Sequence, residues 1–191
     1  MKVYEPQPRQ WQKALIVFLH ADTGGKTELD DSGTAARLSL ATKATVVALQ
    51  RPGYASERGT SSGTTSPRGD DYTAENVEIV AAALANLRTF HPNRKILLIG
   101  HSGGAAMAAL VAERRPAAAD AYLLAACPCD VPAWRDWRRS SAGARDAWTR
   151  SLSPLKEAAA IEPGIVVRMV VGTADNNALP RFSEAFLAAL K

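Results

Sequence analysis

The stretch Ile96-Leu97-Leu98-Ile99-Gly100-His101-Ser102-Gly103-Gly104 decides the fold of this chain. An apolar run of strand length leads into a serine that has one glycine two residues before it and another two residues after it. The alanine-rich residues 105–115 that follow are typical of a helix. The stretch therefore predicts a strand, a sharp turn and a helix, with the Ser102 hydroxyl at the apex of the turn.

This turn has the form of a nucleophile elbow. A side chain at Gly100 or Gly104 would collide across the turn, which explains why glycine is needed at both positions. The same geometry raises Ser102 Oγ above the sheet and directs the Gly103 N–H toward the place where an oxyanion would form. The alternative interpretation is a structural glycine turn without chemistry.

Composition limits the class of protein. The chain has 191 residues, of which 47% are hydrophobic, and this predicts one domain with one core over residues 1–191. Its net charge of +4 comes from interspersed acids and bases, so we expect no nucleic-acid partner. The polar residues 1–12 lack the apolar core of a signal peptide and no run reaches membrane-spanning length, so we expect a cytoplasmic protein without a membrane partner.

The two cysteines, Cys127 and Cys129, are only two positions apart. This spacing does not resemble a disulfide framework, so the sequence predicts free thiols in a reducing compartment. No histidine or further cysteine lies near them, and we expect no metal site and no cofactor.

Hydrophobic patterns organise the remaining chain as alternating strands and helices. Residues 131–150 depart from the alternation, and their tryptophans Trp134, Trp137 and Trp148 suggest a lid excursion. Trp134 and Trp137 could either form the wall of a substrate pocket or pack the excursion onto the scaffold. The polar residues 55–71 predict a long loop. Further strands are predicted at residues 14–19, 44–49, 121–126 and 165–171, and helices at 31–42, after Thr73 up to Phe90, and from Pro180 onward.

This alternation predicts a three-layer, doubly wound α/β fold with a mainly parallel sheet. Residues 20–25, Ser102, Asp130 and Asp175 all follow strands, so they should meet at the carboxyl edge of the sheet, where such folds bind ligands. Gly25-Lys26-Thr27 is a weak alternative, because it resembles the end of a phosphate-binding loop. That motif needs a glycine at position 20, where this chain has histidine.

Taken together, these features resemble the α/β-hydrolase superfamily from residue 14 onward. The resemblance implies that Ser102 is the nucleophile of an acyl transfer on a small ester, or less readily an amide, with the backbone N–H groups of Gly103 and Asp22 as oxyanion donors. The family has His-Gly in the loop before the second donor, whereas this chain has His20-Ala21. The resemblance also implies Asp175 as the acid of the triad, with Asp130 as the alternative.

The histidine of the triad is the missing part of the pattern. In the family it follows the acid, but the three histidines here are His20, His91 and His101, and none follows His101. His20 is the alternative base. The apolar residues 165–171 suit an interior strand, so we expect a last strand and its histidine to come from a lost C-terminal segment or a second chain. The competing function is a non-catalytic binding module, or an inactive fragment, that retains the elbow.

Overall fold

A computed structural model of the chain describes residues 1–6, 13–22, 33–66, 71–142 and 150–190. Within these ranges the strands are β1 (Lys2–Tyr4), β2 (Ala14–Leu19), β3 (Thr45–Leu49), β4 (Ala55–Ser56), β5 (Gly59–Thr60), β6 (Lys95–His101), β7 (Ala121–Ala125) and β8 (Val166–Val170). The α-helices are α1 (Thr34–Thr42), α2 (Ala74–Phe90), α3 (Gly103–Arg114), α4 (Val131–Ala142), α5 (Pro154–Glu157) and α6 (Pro180–Ala189).

A six-stranded sheet forms the centre of the molecule, in the order β1-β3-β2-β6-β7-β8. The five predicted strands are all present and parallel to one another, which confirms the doubly wound α/β class. β6 lies between β2 and β7, so Ser102 emerges at the middle of the carboxyl edge. The sequence analysis missed β1, a three-residue strand that pairs antiparallel with β3.

A second difference from the sequence-based expectation concerns the loop at residues 55–71. The predicted loop 55–71 contains a small antiparallel pair, β4 with β5, so the expectation of a loop without strands was wrong there. The Gln50 amide and the Ser61 hydroxyl both donate to the Tyr54 carbonyl and hold this hairpin against the end of β3. Two-residue strands are too short to leave a periodic signal in the sequence.

The sheet is covered by helices on both faces. Helix α3 is buried along residues 103–113 and packs on one face together with α2. The opposite face, with Ile16, Phe18 and Val46, packs against α1. Thr73 caps α2 by accepting from the Asn76 N–H at 3.3 Å, as its position before the helical pattern predicted. In the part of the chain that the structure describes, no helix has both the length and the apolar character needed to cross a bilayer.

Cys127 and Cys129 form a disulfide, so the prediction of free thiols was wrong. The sharp bend after β7 brings their Cα atoms to 5.1 Å, which is within the range that a disulfide requires. Both cysteines are fully buried. Disulfides persist in oxidising compartments, so these cysteines no longer support the argument for a reducing one.

Candidate active site

Ser102 lies at the apex of a strained turn between β6 and α3. Its backbone angles are φ 52° and ψ −119°, a conformation that residues with a side chain rarely adopt. The Ser102 N–H donates to the Ala125 carbonyl at 2.8 Å, and its carbonyl accepts from the Ala105 N–H at 2.8 Å. The turn is thus fixed to β7 on one side and to the first turn of α3 on the other. Among the described residues, Ser102 Oγ has no hydrogen-bond partner.

The glycines around Ser102 are needed because the backbone approaches closely at each of them. A Cβ at Gly100 would overlap the backbone of Gly104, and a Cβ at Gly104 would overlap the carbonyl groups of Leu19 and His20. A Cβ at Gly103 would overlap the carboxylate of Asp22. The elbow is therefore packed directly against the end of β2 and the loop that follows it.

The loop after β2 carries the expected second oxyanion donor, the Asp22 N–H. The structure places His20, Ala21 and Asp22 beside the first turn of α3, and the Asp22 carboxylate lies against the Gly103 Cα. The rest of the predicted loop, residues 23–25, lies outside the described residues. So does the Gly25-Lys26-Thr27 alternative.

Arg51 holds the Asp22 side chain, and only Gln50 separates it from the end of β3. Its Nη1 donates to Asp22 Oδ1 at 2.6 Å and to the His20 carbonyl at 3.3 Å. Arg51 is only 2% exposed, and its guanidinium lies over the rings of Tyr54 and Tyr72. Burial opposes the charge of this group, but Asp22 and the two tyrosines outweigh that effect and raise the pKa of Arg51 above its usual value. The guanidinium is therefore charged at every working pH.

His20 is fully engaged in holding this loop. The Arg51 backbone N–H can only donate, so His20 Nε2, at 3.1 Å from it, is the acceptor. The ring proton must then be on Nδ1, which donates to the Ala21 carbonyl at 2.8 Å. Burial, followed by the positive charge of Arg51, lowers the pKa of His20 to about 3. The ring is neutral with its one lone pair in use, an arrangement that favours a structural role over that of base.

The two candidate acids follow neighbouring strands but differ in how they are held. Asp175 Oδ1 accepts from the backbone N–H groups of Asn177 and Ala178, both at 2.9 Å, in the loop after β8. Asp130 caps α4, where its Oδ1 accepts from the Ala133 N–H at 3.3 Å. The two short bonds to Oδ1 orient the Asp175 carboxylate and leave Oδ2 for another partner.

Among the described residues, neither of the other two histidines forms a hydrogen bond with the Ser102 hydroxyl. His91 ends α2 at the opposite edge of the sheet, where its N–H donates to the Leu87 carbonyl at 3.0 Å. The side chain of His101 is exposed at the end of β6. Beside β8, no described strand pairs with the edge that faces away from β7. Val166 and Val170 on β8 are 43% and 55% exposed.

The tryptophan-bearing segment packs onto the scaffold, in agreement with one of the two interpretations of Trp134 and Trp137. Trp134 is 7% exposed. Trp137 Nε1 donates to the Asn176 carbonyl at 3.3 Å, and the guanidinium of Arg181 lies over its ring. α4 is thereby connected to the loop that carries Asp175. Trp148 lies outside the described residues.

Sequence reasoning missed Arg51 and Tyr72. Tyr72 donates its hydroxyl proton to Asp22 Oδ2 at 2.6 Å and so completes the set of contacts around that carboxylate. An arginine directly after a buried strand, at the edge where ligands bind, was a usable signal for the first of them. Tyr72 had no such signal, because it is distant from Asp22 in the sequence.

The comparisons with known proteins agree with the fold described above. Residues 16–144 match a sequence model described as the alpha/beta hydrolase family. A search of curated proteins finds no significant match.

Solved structures with the same fold are numerous. The chain is similar to an esterase of Pyrococcus furiosus (TM-score 0.69, 13% identity, 93% of this chain and 67% of that one). It is also similar to a proline iminopeptidase of Mycobacterium smegmatis (TM-score 0.69, 14% identity, 99% of this chain and 82% of that one). A third similar structure is a monoacylglycerol lipase of Paleococcus ferrophilus (TM-score 0.61, 17% identity, 100% of this chain and 85% of that one). At these identities the likeness shows the fold alone.

Proposed function

The chain belongs to the alpha/beta hydrolase family, and we propose that it is a serine hydrolase that cleaves carboxylic esters through an acyl-enzyme on Ser102. The observation that carries this proposal is the backbone of Ser102, at φ 52° and ψ −119° between a central strand and a buried helix. Strain of this kind persists only where the surrounding structure imposes it, and it is concentrated at functional sites. Esterases and a lipase among the similar structures support esters as the substrate class.

In the proposed reaction, Ser102 Oγ attacks the ester carbonyl as its proton passes to a base. The carbonyl oxygen becomes an oxyanion, which the N–H groups of Gly103 and Asp22 stabilise. Collapse of this intermediate breaks the bond to the alcohol, which takes the proton from the base and leaves. Water then attacks the acyl-enzyme carbonyl and gives a proton to the base. Collapse of this second intermediate releases the carboxylic acid, and the base returns the proton to Ser102 Oγ.

We propose that the base is a histidine from outside these 191 residues, carried by a segment that pairs with the edge of β8 that faces away from β7. Asp175 follows β8, so such a segment would bring an imidazole between Asp175 Oδ2 and Ser102. A continuation of the chain and a second polypeptide are both able to supply it. α4, which packs over the Asp175 loop, is proposed as the lid.

A fluorophosphonate probe tests the proposal, because it modifies only an activated serine. We expect the naturally expressed protein to be labelled, with the phosphonyl group on Ser102 by peptide mass spectrometry, and to hydrolyse p-nitrophenyl esters of short acids. An inert Ser102 in the natural protein would favour the alternative, a non-catalytic module with an intact elbow. The positions of His20, His91 and His101 are the observation that keeps this alternative open.

Asp175→Asn is expected to lower kcat by more than about tenfold with an unchanged fold. Asparagine keeps the oxygen that accepts from Asn177 and Ala178, but it replaces Oδ2 with a donor and removes the negative charge. Asp130→Asn is the matched control, because asparagine caps a helix as well as aspartate does. Steady-state kinetics on both variants decides the acid: a loss confined to Asp130→Asn would reverse the assignment.

A further inference from the structure

The loop that carries the second oxyanion donor is shaped by side chains. His20-Ala21 stands where the resemblance implies His-Gly, so no glycine at position 21 gives the backbone extra freedom. The loop is held instead through Asp22, whose two carboxylate oxygens bind Arg51 Nη1 and the Tyr72 hydroxyl, each at 2.6 Å. Arg51 also binds His20 twice, through its Nη1 and its backbone N–H.

These contacts join three separate parts of the chain to the elbow. Arg51 follows β3, Tyr72 precedes α2, and Asp22 follows β2 and lies against the Gly103 Cα. The backbone of Tyr72 is itself fixed by two hydrogen bonds. Its N–H donates to Ser151 Oγ at 3.1 Å, and its carbonyl accepts from the Leu152 N–H at 2.9 Å. Arg51 and Tyr72 are 2% and 0% exposed. The carboxylate is therefore held in one position relative to α3.

We propose that Arg51 and Tyr72 are positioning residues, which hold Asp22 so that its backbone N–H and that of Gly103 converge on one oxyanion. This inference rests on the proposed function. Arg51 has a second effect in the same place. The Asp22 carboxylate is a negative charge beside the site where a second negative charge would develop, and the guanidinium of Arg51 neutralises it.

The experiment compares four single variants by steady-state kinetics on a p-nitrophenyl ester and by the rate of fluorophosphonate labelling. Arg51→Met removes both effects, and we expect kcat to fall at least about tenfold with KM changed less than about threefold. Arg51→Lys keeps the charge without the planar fork, so it should recover part of the loss. Tyr72→Phe removes one hydroxyl from an otherwise unchanged site and should lower kcat by about threefold to tenfold.

Arg114→Met is the matched control at the far end of α3. Arg114 also forms a 2.6 Å ion pair, with Glu157, but it lies a full helix away from Ser102. We expect its kcat to equal that of the wild type. Equal losses of kcat in Arg51→Met and Arg114→Met would show a general effect on the scaffold and overturn the inference. An unchanged kcat in both single variants, Tyr72→Phe and Arg51→Met, would also overturn it.

Backbone NMR order parameters separate this inference from the proposed function. In Arg51→Met, or in Tyr72→Phe if the first variant does not fold, the order parameters of the Ala21 and Asp22 amides should fall while those of β2 stay unchanged. If the wild type is not labelled at Ser102, the proposed function fails, and the order parameters alone decide the positioning role. Unchanged order parameters at Ala21 and Asp22 would then overturn it.

Discussion

Ser102→Gly is expected to produce a protein that is inactive and more stable than the wild type. The loss of Oγ removes the proposed nucleophile, so ester hydrolysis should fall by at least about 1,000-fold and fluorophosphonate labelling should disappear. The gain in stability has a separate origin in the backbone. At φ 52° and ψ −119°, a Cβ at position 102 is crowded by its own backbone, and glycine has no Cβ.

The size of the gain follows from two opposing effects. Relief of a sparsely populated backbone conformation contributes about 1–3 kcal/mol to the free energy of unfolding. The greater freedom of glycine in the unfolded chain removes about 0.5–1 kcal/mol of this. A net gain of about 1 kcal/mol is therefore expected from denaturant unfolding. Ser102→Ala should be equally inactive without the gain, because alanine keeps the Cβ.

Lys43→Gly controls for the relief of strain without loss of the nucleophile. Lys43 also has a positive φ, of 57°, at the exposed end of α1. Glycine there should raise stability by up to about 1 kcal/mol and leave kcat unchanged. If Ser102→Gly is no more stable than Ser102→Ala, the backbone of the elbow is not under strain, and the main support for the proposed nucleophile is lost.

The sheet could be predicted from the sequence because its central strands β2, β3 and β6 are largely buried on both faces. Each of the five parallel strands contains an apolar run, interrupted in β8 by Arg168, that ends at a glycine, a proline or a polar residue. The order of such runs restricts the topology to few solutions. β1 escaped prediction because three alternating residues carry little signal. The disulfide escaped because the bend that brings Cys127 to Cys129 is a tertiary feature.

The candidate site was predictable only where its chemistry is local in sequence. Gly100, Ser102 and Gly104 form a motif within five residues, so their arrangement could be inferred before any contact was known. The support for Asp22 comes from Arg51 and Tyr72, which are 29 and 50 positions away. Residue types alone do not show that these side chains meet.

Glu113→Gln is expected to stabilise the protein, and more so as the pH rises. Glu113 is 6% exposed near the end of α3, and neither carboxylate oxygen has a hydrogen-bond partner among the described residues. Burial, followed by the negative charge of Glu157 on α5, raises the pKa of Glu113 to about 9, against the opposing effect of Arg114. The folded protein therefore keeps this carboxyl protonated at neutral pH.

The direction of the pH dependence follows from the difference between the two states. Below about pH 4.5 Glu113 is protonated in both the folded and the unfolded state, so it does not make the free energy of unfolding depend on pH. Between about pH 4.5 and 9 the unfolded chain releases the proton while the folded protein retains it, so each pH unit favours unfolding by about 1.4 kcal/mol. Glutamine cannot ionise, so at pH 7 the variant should be more stable by up to about 3 kcal/mol.

Urea unfolding of the wild type and Glu113→Gln at pH 5, 7 and 8 measures this difference. The gain should be small at pH 5 and should grow at each step, since glutamine has nearly the shape of the protonated carboxyl and leaves the packing of α3 against α5 in place. Glu184→Gln, on the exposed surface of α6, is the matched control and should change stability by less than about 0.5 kcal/mol at every pH. A gain that is the same at pH 5 and pH 8 would mean that Glu113 is ionised in the folded protein. The stabilisation would then come from packing instead of from the proton.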